Sequence, residues 1–312
     1  MNMTSIAPLR IATRKSLLAL WQAQHVATLL RQAHSGLEVE LVPMVTQGDR
    51  IQDRTLAAIG GKGLFIKELE VALVENRADI AVHSMKDLPG ELGLGLIIAA
   101  VLERADARDA LVTAKASGLD GLAQGARVGT SSLRRQAQLL AARPDLNIET
   151  LRGNVDTRLR RHDAGEMDAI VLACAGLTRL GLESRITARL DPKICLPAVA
   201  QGIIGIECRG ADERTRGLLS ALESAASRTV MDAERAFAHR LGGSCQSPIA
   251  AHARLEGRQL MLDGLVAEPD GSRLIRDSAS GSADDPVALG ILLAERILAA
   301  GADSLLERLR LG

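Results

Sequence analysis

Residues 78–89, Ala-Asp-Ile-Ala-Val-His-Ser-Met-Lys-Asp-Leu-Pro, put four polar side chains at the end of an apolar run. Ile80-Ala81-Val82 has the length of a buried strand, and Pro89 stops regular structure beyond it. Between them stand His83, Ser84, Lys86 and Asp87. In open α/β sheets ligands gather beyond the carboxyl ends of the strands, so a carboxylate and an ammonium placed there suit a ligand better than a core. A solvated turn with an incidental ion pair is the alternative, and on this stretch alone both readings stand. His83 reads as a structural, hydrogen-bonded residue rather than a proton carrier.

Arginine recurs in similar settings. Arg127-Val128-Gly129 runs into Thr130-Ser131-Ser132 and then Leu133-Arg134-Arg135, where hydroxyls and free N–H groups at a helix start form an anion cradle. Residues 147–151 lead into Arg152-Gly153-Asn154-Val155-Asp156-Thr157-Arg158, and the buried strand 168–173 is followed by Ala175-Gly176-Leu177-Thr178-Arg179. Earlier in the chain, Arg14 sits just before Ser16, a good N-cap, and Lys62 lies in Gly60-Gly61-Lys62-Gly63. That glycine run is not a nucleotide loop, because Gly63 stands where Ser or Thr is needed and the first glycine of the spacing is missing. Three successive strand ends carrying Arg, together with Arg14, Lys62 and Lys86, describe a cleft for a ligand with several carboxylates or phosphates.

Four cysteines lie too far apart for a zinc or dithiol motif, and no metal site is expected. Cys174, Cys195 and Cys208 have apolar or element-terminal neighbours and read as small buried hydrophobes. Cys245, in Gly242-Gly243-Ser244-Cys245-Gln246-Ser247-Pro248, sits in a tight loop that exposes its side chain. It suits either a hydrolase nucleophile, with His239 and His252 nearby, or an attachment point for a covalent group.

Composition narrows the classes. The 312 residues are enough for two or three domains, and 47% apolar with 24% charged residues is ordinary for a globular protein. Formal charge is zero, so no whole-molecule attraction to nucleic acid or membrane is expected. Yet 32 of the 38 basic residues are Arg, the side chain that grips carboxylates in pairs of hydrogen bonds. Aromatic content is 1% (Trp21, Phe65 and Phe237), too little for a surface that stacks bases. With no signal-like N-terminus and no apolar run approaching 18 residues, the expected location is the cytoplasm.

The elements that must position these residues follow from periodicity. Strands are expected at 9–13, 38–45, 80–82, 95–101, 127–129, 147–151 and 168–173, with an amphipathic helix to about 33 and further helices from about 63 and from 133. Residues 103–109 read as a crossing between domains. The strand-like 203–207 suggests that the chain crosses back, which makes the first domain discontinuous. From about 224 the pattern becomes a helix, three alternating strands near 249–255, 258–267 and 273–279, and two closing helices, a small α+β unit with an antiparallel sheet. The division is 1–104 with 200–222, 105–199 and 223–312.

In order, Arg-Ile-Ala-Thr-Arg-Lys-Ser, Gly-Gly-Lys-Gly-Leu-Phe, His-Ser-Met-Lys-Asp-Leu-Pro, Val-Gly-Thr-Ser-Ser-Leu-Arg-Arg, Arg-Gly-Asn-Val-Asp-Thr-Arg, Leu-Pro-Ala-Val-Ala-Gln-Gly and Gly-Gly-Ser-Cys-Gln-Ser-Pro-Ile closely resemble the porphobilinogen deaminase (hydroxymethylbilane synthase) family. The resemblance implies an α/β fold: two periplasmic-binding-protein-like (type II) domains around a cleft, plus a small α+β C-terminal domain with an antiparallel sheet. It implies joining of four porphobilinogen molecules with loss of ammonia, and hydrolytic release of hydroxymethylbilane. The chain would grow on a dipyrromethane cofactor held by a thioether to the cysteine matching Cys245. The catalytic aspartate matches Asp87, suited to an electron-poor azafulvene whose positive charge a carboxylate stabilises. Carboxylate-binding positions match Arg14, Lys62, Ser84, Lys86, Thr130, Ser131, Ser132, Arg134, Arg135, Arg152, Arg158 and Arg179. A monomer is expected, with porphobilinogen as substrate and neither nucleic acid nor membrane as partner.

The chain departs from the pattern at Ala58, where a lysine is usual, at Ala200 in place of the glycine of Val-Gly-Gln-Gly, at Asp156 in the third arginine loop, and at Ser244 before the cysteine. These put local contacts in doubt and leave Asp87, Cys245 and the main arginines in place. A solute-binding module would share the anion cleft but has no use for Asp87 and Cys245 together. A cysteine hydrolase would turn over without a bound chromogen.

Overall fold

β1 (Leu9–Arg14) is buried along almost its whole length, as befits a strand covered on both faces. Ser16 then accepts the Ala19 N–H at 3.3 Å and starts α1 (Leu17–Ala33), whose Ala19, Ala23, Val26, Ala27 and Leu30 form one buried stripe. β2 (Val39–Met44), α2 (Lys67–Val74), β3 (Ile80–Ser84) and β4 (Leu96–Val101) follow. The computed structural model describes residues 8–46, 48, 66–243 and 247–311.

The chain then builds a second sheet from β5 (Asp109–Val112), β6 (Arg127–Gly129), α3 (Leu133–Ala142), β7 (Asn147–Glu149), α4 (Val155–Asp163), β8 (Ala169–Ala173), α5 (Cys174–Arg179) and β9 (Ala188–Arg189). It returns through β10 (Ile204–Arg209) and α6 (Glu213–Leu219). The first sheet runs β2-β1-β3-β10-β4 and the second β7-β6-β8-β5-β9. In each, three parallel strands are followed by an antiparallel fourth, and that fourth strand is the one next to a crossing segment. This repeated order is the periplasmic-binding-protein-like arrangement.

The last part is α7 (Ala225–Arg240), then a meander of β11 (Ile249–Glu256), β12 (Gln259–Ala267) and β13 (Leu274–Ser282), then α8 (Pro286–Ile297) and α9 (Asp303–Leu311). Its three strands are all antiparallel, as their short connections require. The chain clusters into two compact units, Met1–Arg104 with Ile203–Ser227, and Ala105–Gly202 with Arg228–Gly312. Within the second unit, Ala250, Leu265 and Ala267 of the meander share an apolar cluster with Ala137 of α3 and Leu196.

Two strands were not foreseen. β5 has four residues and begins on a charged one, so the crossing segment carries no visible alternation. β9 has two residues and is held only by pairing to Ala110 and Leu111.

Ala200 has φ = 56°, a left-handed backbone that glycine adopts freely and alanine does not. That accounts for glycine in the family pattern at this position. The strain is retained because Glu234, fully buried on α7, accepts the N–H of Ala200 and that of Ala253, each at 2.6 Å. Ala200→Gly is expected to stabilise the protein by about 1 kcal/mol, read as a rise of the thermal midpoint by about 2 °C. A lower midpoint would contradict the strain.

Candidate active site

In the first unit the parallel pairing of β1 and β3 (Ile11 with Ile80, Ala12 with Ala81) brings their carboxyl ends, Arg14 and Ser84, to the same edge of the sheet. Arg14, Ser16, Gln22, His83, Ser84 and Asp87 line one open pocket there. Ser84 Oγ accepts from the buried Gln22 side-chain amide at 2.8 Å, leaving its own proton for a ligand. Asp87 is exposed at the end of a single 3₁₀ turn, Met85–Asp87, and Lys86 is half-buried in the same turn.

Met85 pins that turn. Its N–H donates to Ile203 O at 3.0 Å, and its side chain is 1% exposed. A Cβ on Gly205 would lie 2.1 Å from Met85 Sδ, so only glycine leaves room for the sulfur. Gly205 pairs with His83 and Glu207 with Ala81, which makes His83 and Glu207 diagonal neighbours on one face. Their side chains meet, His83 Nε2 to Glu207 Oε2, at 2.8 Å. The structure thus supports His83 as a hydrogen-bonded residue. Burial raises the carboxyl of Glu70 on α2, the Gly93 N–H opposes this, and the charge of Glu207 adds to the rise.

In the second unit, Thr130 and Ser132 build the head of α3. Ser132 accepts the Arg135 N–H at 3.4 Å, its own N–H donates to Thr130 Oγ1 at 3.2 Å, and Ser131 Oγ donates to Leu151 O. Arg134 and Arg135, expected to face a ligand, turn inward. Both are buried against Asp109 of β5: Arg134 Nη1 meets Oδ2 at 2.8 Å, and Arg135 Nη2 and Nε meet Oδ1 at 2.7 and 3.1 Å. Gln201 Nε2 adds a bond to Oδ1 at 2.9 Å. Burial alone would raise the Asp109 carboxyl, but the charges and hydrogen bonds of the two guanidiniums hold it well below the usual carboxylate range.

The other arginines differ. Arg158 Nε donates to Gly153 O at 2.8 Å, which ties it to its own loop. Asp156 lies in the first turn of α4, where a carboxylate favours the helix dipole, so this departure has a local structural reason. Arg152 Nη1 is enclosed with no hydrogen-bond partner. Arg179 Nη2 donates to Gly202 O at 2.6 Å, and burial pushes its guanidinium down to about 10 with no carboxylate opposing the shift. An orphaned guanidinium nitrogen and a desolvated cation are what an anionic ligand would satisfy.

Cys174, Cys195 and Cys208 are buried, and burial pushes their thiols up to about 12, 12 and 11. They stay protonated at neutral pH and are not nucleophiles. Lys62, Ala58, Ser244 and Cys245 lie outside the described residues. Among the described residues no cluster of His, Cys, Asp and Glu could hold a metal. Sequence reasoning missed Gln22, Asp109, Gln201 and Glu207, whose partners lie 25 to 124 positions away, beyond any local motif.

Residues 9–217 match the family described as porphobilinogen deaminase, dipyromethane cofactor binding domain, and residues 229–299 match its C-terminal domain. Porphobilinogen deaminases of Xanthomonas axonopodis pv. citri (strain 306) and Xanthomonas campestris pv. campestris (strain ATCC 33913) are each 58% identical over 301 residues, covering 96% of this chain and 99% of theirs. The chain belongs to the porphobilinogen deaminase family. The cofactor that a porphobilinogen deaminase carries is a chain of pyrroles bearing carboxylates, and the unsatisfied Arg152 and the desolvated Arg179 fit such a group.

Removal of the Asp109 charge tests the arginine cluster. Asp109→Asn leaves two buried guanidiniums uncompensated and is expected to lower stability by about 3–5 kcal/mol in urea unfolding at pH 7. Because the folded-state value lies below the unfolded one, the wild-type contribution is present above about pH 4 and is lost as pH falls below it. The gap between wild type and variant should therefore narrow on acidification, and a gap independent of pH would contradict the assignment.

Proposed function

We propose that this chain joins four porphobilinogen molecules head to tail with loss of ammonia, on a dipyrromethane primer held by Cys245, and releases hydroxymethylbilane by hydrolysis. The observation that carries the reading is Asp87, an exposed carboxylate on a pinned turn, in one pocket with Arg14 and Ser84 in a chain of this family. When bound, the dipyrromethane supplies the pyrrole carbon at which elongation begins.

Asp87 stabilises the cation left when the aminomethyl group loses ammonia, and accepts from its pyrrole N–H. Arg14, Ser84 and Lys86, with Lys62, hold acetate and propionate groups in the first unit. Arg152, Arg158 and Arg179 hold them in the second, with the hydroxyls of Thr130 and Ser132 as neutral donors, while Ser131 gives its proton to Leu151 O and shapes the loop. Arg134 and Arg135 act from behind the Thr130–Ser132 loop: with one carboxylate between two guanidiniums, the cluster keeps a net positive charge.

The three-part division, 1–104 with 200–222, 105–199 and 223–312, belongs to this reading and is supported by the three separate sheets found among the described residues. So do a monomeric state, a cytoplasmic location, and a small-molecule partner without nucleic acid or membrane. In support, formal charge is zero, and no helix among the described residues is long and apolar enough to cross a membrane.

The intact mass of freshly purified active protein is expected to exceed the bare chain by two linked pyrroles, and Cys245→Ser should lose that excess. Active protein at the bare mass would refute the reading. Asp87→Asn should retain the adduct and slow turnover by about 10²-fold or more; near-normal turnover would reject the role given to Asp87.

A further inference from the structure

Asp87 does nothing to fix its own position. Its carboxylate is exposed, and among the described residues it has neither a hydrogen bond nor an ion pair. Its place is inherited from the backbone of the single turn Met85–Asp87, which Leu88 closes by donating its N–H to Met85 O at 3.2 Å. Met85 in turn is held twice by the stretch on which the chain re-enters the first unit. Ile203, the first residue of that stretch, accepts the Met85 N–H at 3.0 Å. Two residues on, Gly205 leaves the notch that the Met85 side chain fills: a Cβ there would lie 2.1 Å from Sδ, 3.0 Å from Cγ and 3.6 Å from Ile98 Cγ2.

We propose that Gly205 and Met85 form an interlocking pair that positions Asp87 for reaction, so that the returning strand, rather than any contact of the carboxylate, sets where the cation is met. The inference rests on the activity proposed above. Neither Met85 nor Gly205 lines the pocket, so both are positioning residues that act through Asp87.

The packing leaves one outlet for a misfit. β3 and β10 are joined by five residue pairs, from Ile204 with Ser84 to Cys208 with Ile80, and the Met85 side chain is 1% exposed. A methyl group added at Gly205 therefore drives the sulfur, and with it the turn, away from the sheet. Stabilisation of a cation by a carboxylate depends on the distance between them, and a shift of about 1 Å costs up to about 10²-fold in rate. Ser84, paired with Ile204, and Arg14 on β1 stay where they are, so the effect falls on kcat rather than on substrate binding.

Gly205→Ala tests the pair. It should keep the adduct mass, hold KM within about 3-fold, and lower kcat per adduct-bearing molecule by about 10-fold or more. Shortening Met85 gives the new methyl its room: Gly205→Ala combined with Met85→Ala should turn over about 5-fold or more faster than Gly205→Ala alone. In the Asp87→Asn background, Gly205→Ala should cost less than about 2-fold, because the group that it displaces is already gone. A general loosening of the sheet would lower turnover equally with or without Asp87, so this masking separates positioning from stability.

A kcat of Gly205→Ala within about 2-fold of wild type, an undiminished loss in the Asp87→Asn background, no recovery on shortening Met85, or a loss carried by KM or by a missing adduct would each overturn the proposal. If Gly205→Ala does not fold, Met85→Leu, which keeps the volume in the notch and changes its shape, decides in its place. Its kcat should fall in the wild-type background and stay unchanged in the Asp87→Asn background, and equal effects in the two would overturn the proposal. Wild-type protein at the bare mass and without turnover would instead refute the activity itself.

Discussion

One buried carboxylate, Asp109, organises the second unit. It stands at the start of β5, receives Arg134, Arg135 and Gln201, and thereby joins the two stretches of chain that enter and leave this unit to the head of α3. Such buried pairs add little net stability over well-packed apolar side chains, because desolvation opposes the attraction. Their effect here is geometric. They fix the Thr130–Ser132 loop from behind and leave one unbalanced positive charge beneath it. Cys195, which touches both Arg134 and Asp109, does not neutralise that charge, since its thiol stays protonated.

The first unit positions its site by shape more than by charge. Parallel pairing carries Arg14 and Ser84 to one edge, Gln22 reaches Ser84 from α1, and the sulfur of Met85 fills the notch at Gly205. The result is an exposed aspartate on a turn whose anchor, Met85, is buried. A catalytic carboxylate needs both properties, access to the cation and a geometry that does not relax when it appears. The His83–Glu207 pair lies one layer below and is held by the same β3–β10 register.

The anion affinity of this chain is local. Formal charge is zero, and many arginines are matched at the surface, as in Arg143 with Asp145, Arg185 with Asp163 and Arg258 with Asp284. Exposed pairs of that kind contribute little and need no ligand. Arg152 and Arg179 differ because each carries an electrostatic need that the described protein groups do not meet. Burial and partner, rather than the abundance of Arg, separate binding residues from solvated surface.

The sequence alone was sufficient for β1, α1, β2 and the closing meander, because amphipathic periodicity and caps such as Ser16 are local properties of the chain. It also supplied the residue types of the site, since strand-end motifs with Arg, Lys and Asp are contiguous, and it separated Cys174, Cys195 and Cys208 from Cys245 by their neighbours. β5 and β9 escaped it, because strands of four and two residues exist only through their pairing. Only the tertiary structure could turn Arg134 and Arg135 inward, give Ala200 its left-handed backbone and set Glu207 against His83. Those outcomes depend on partners up to 124 positions away, and no local pattern encodes which distant carboxylate a folded strand will bring within 3 Å.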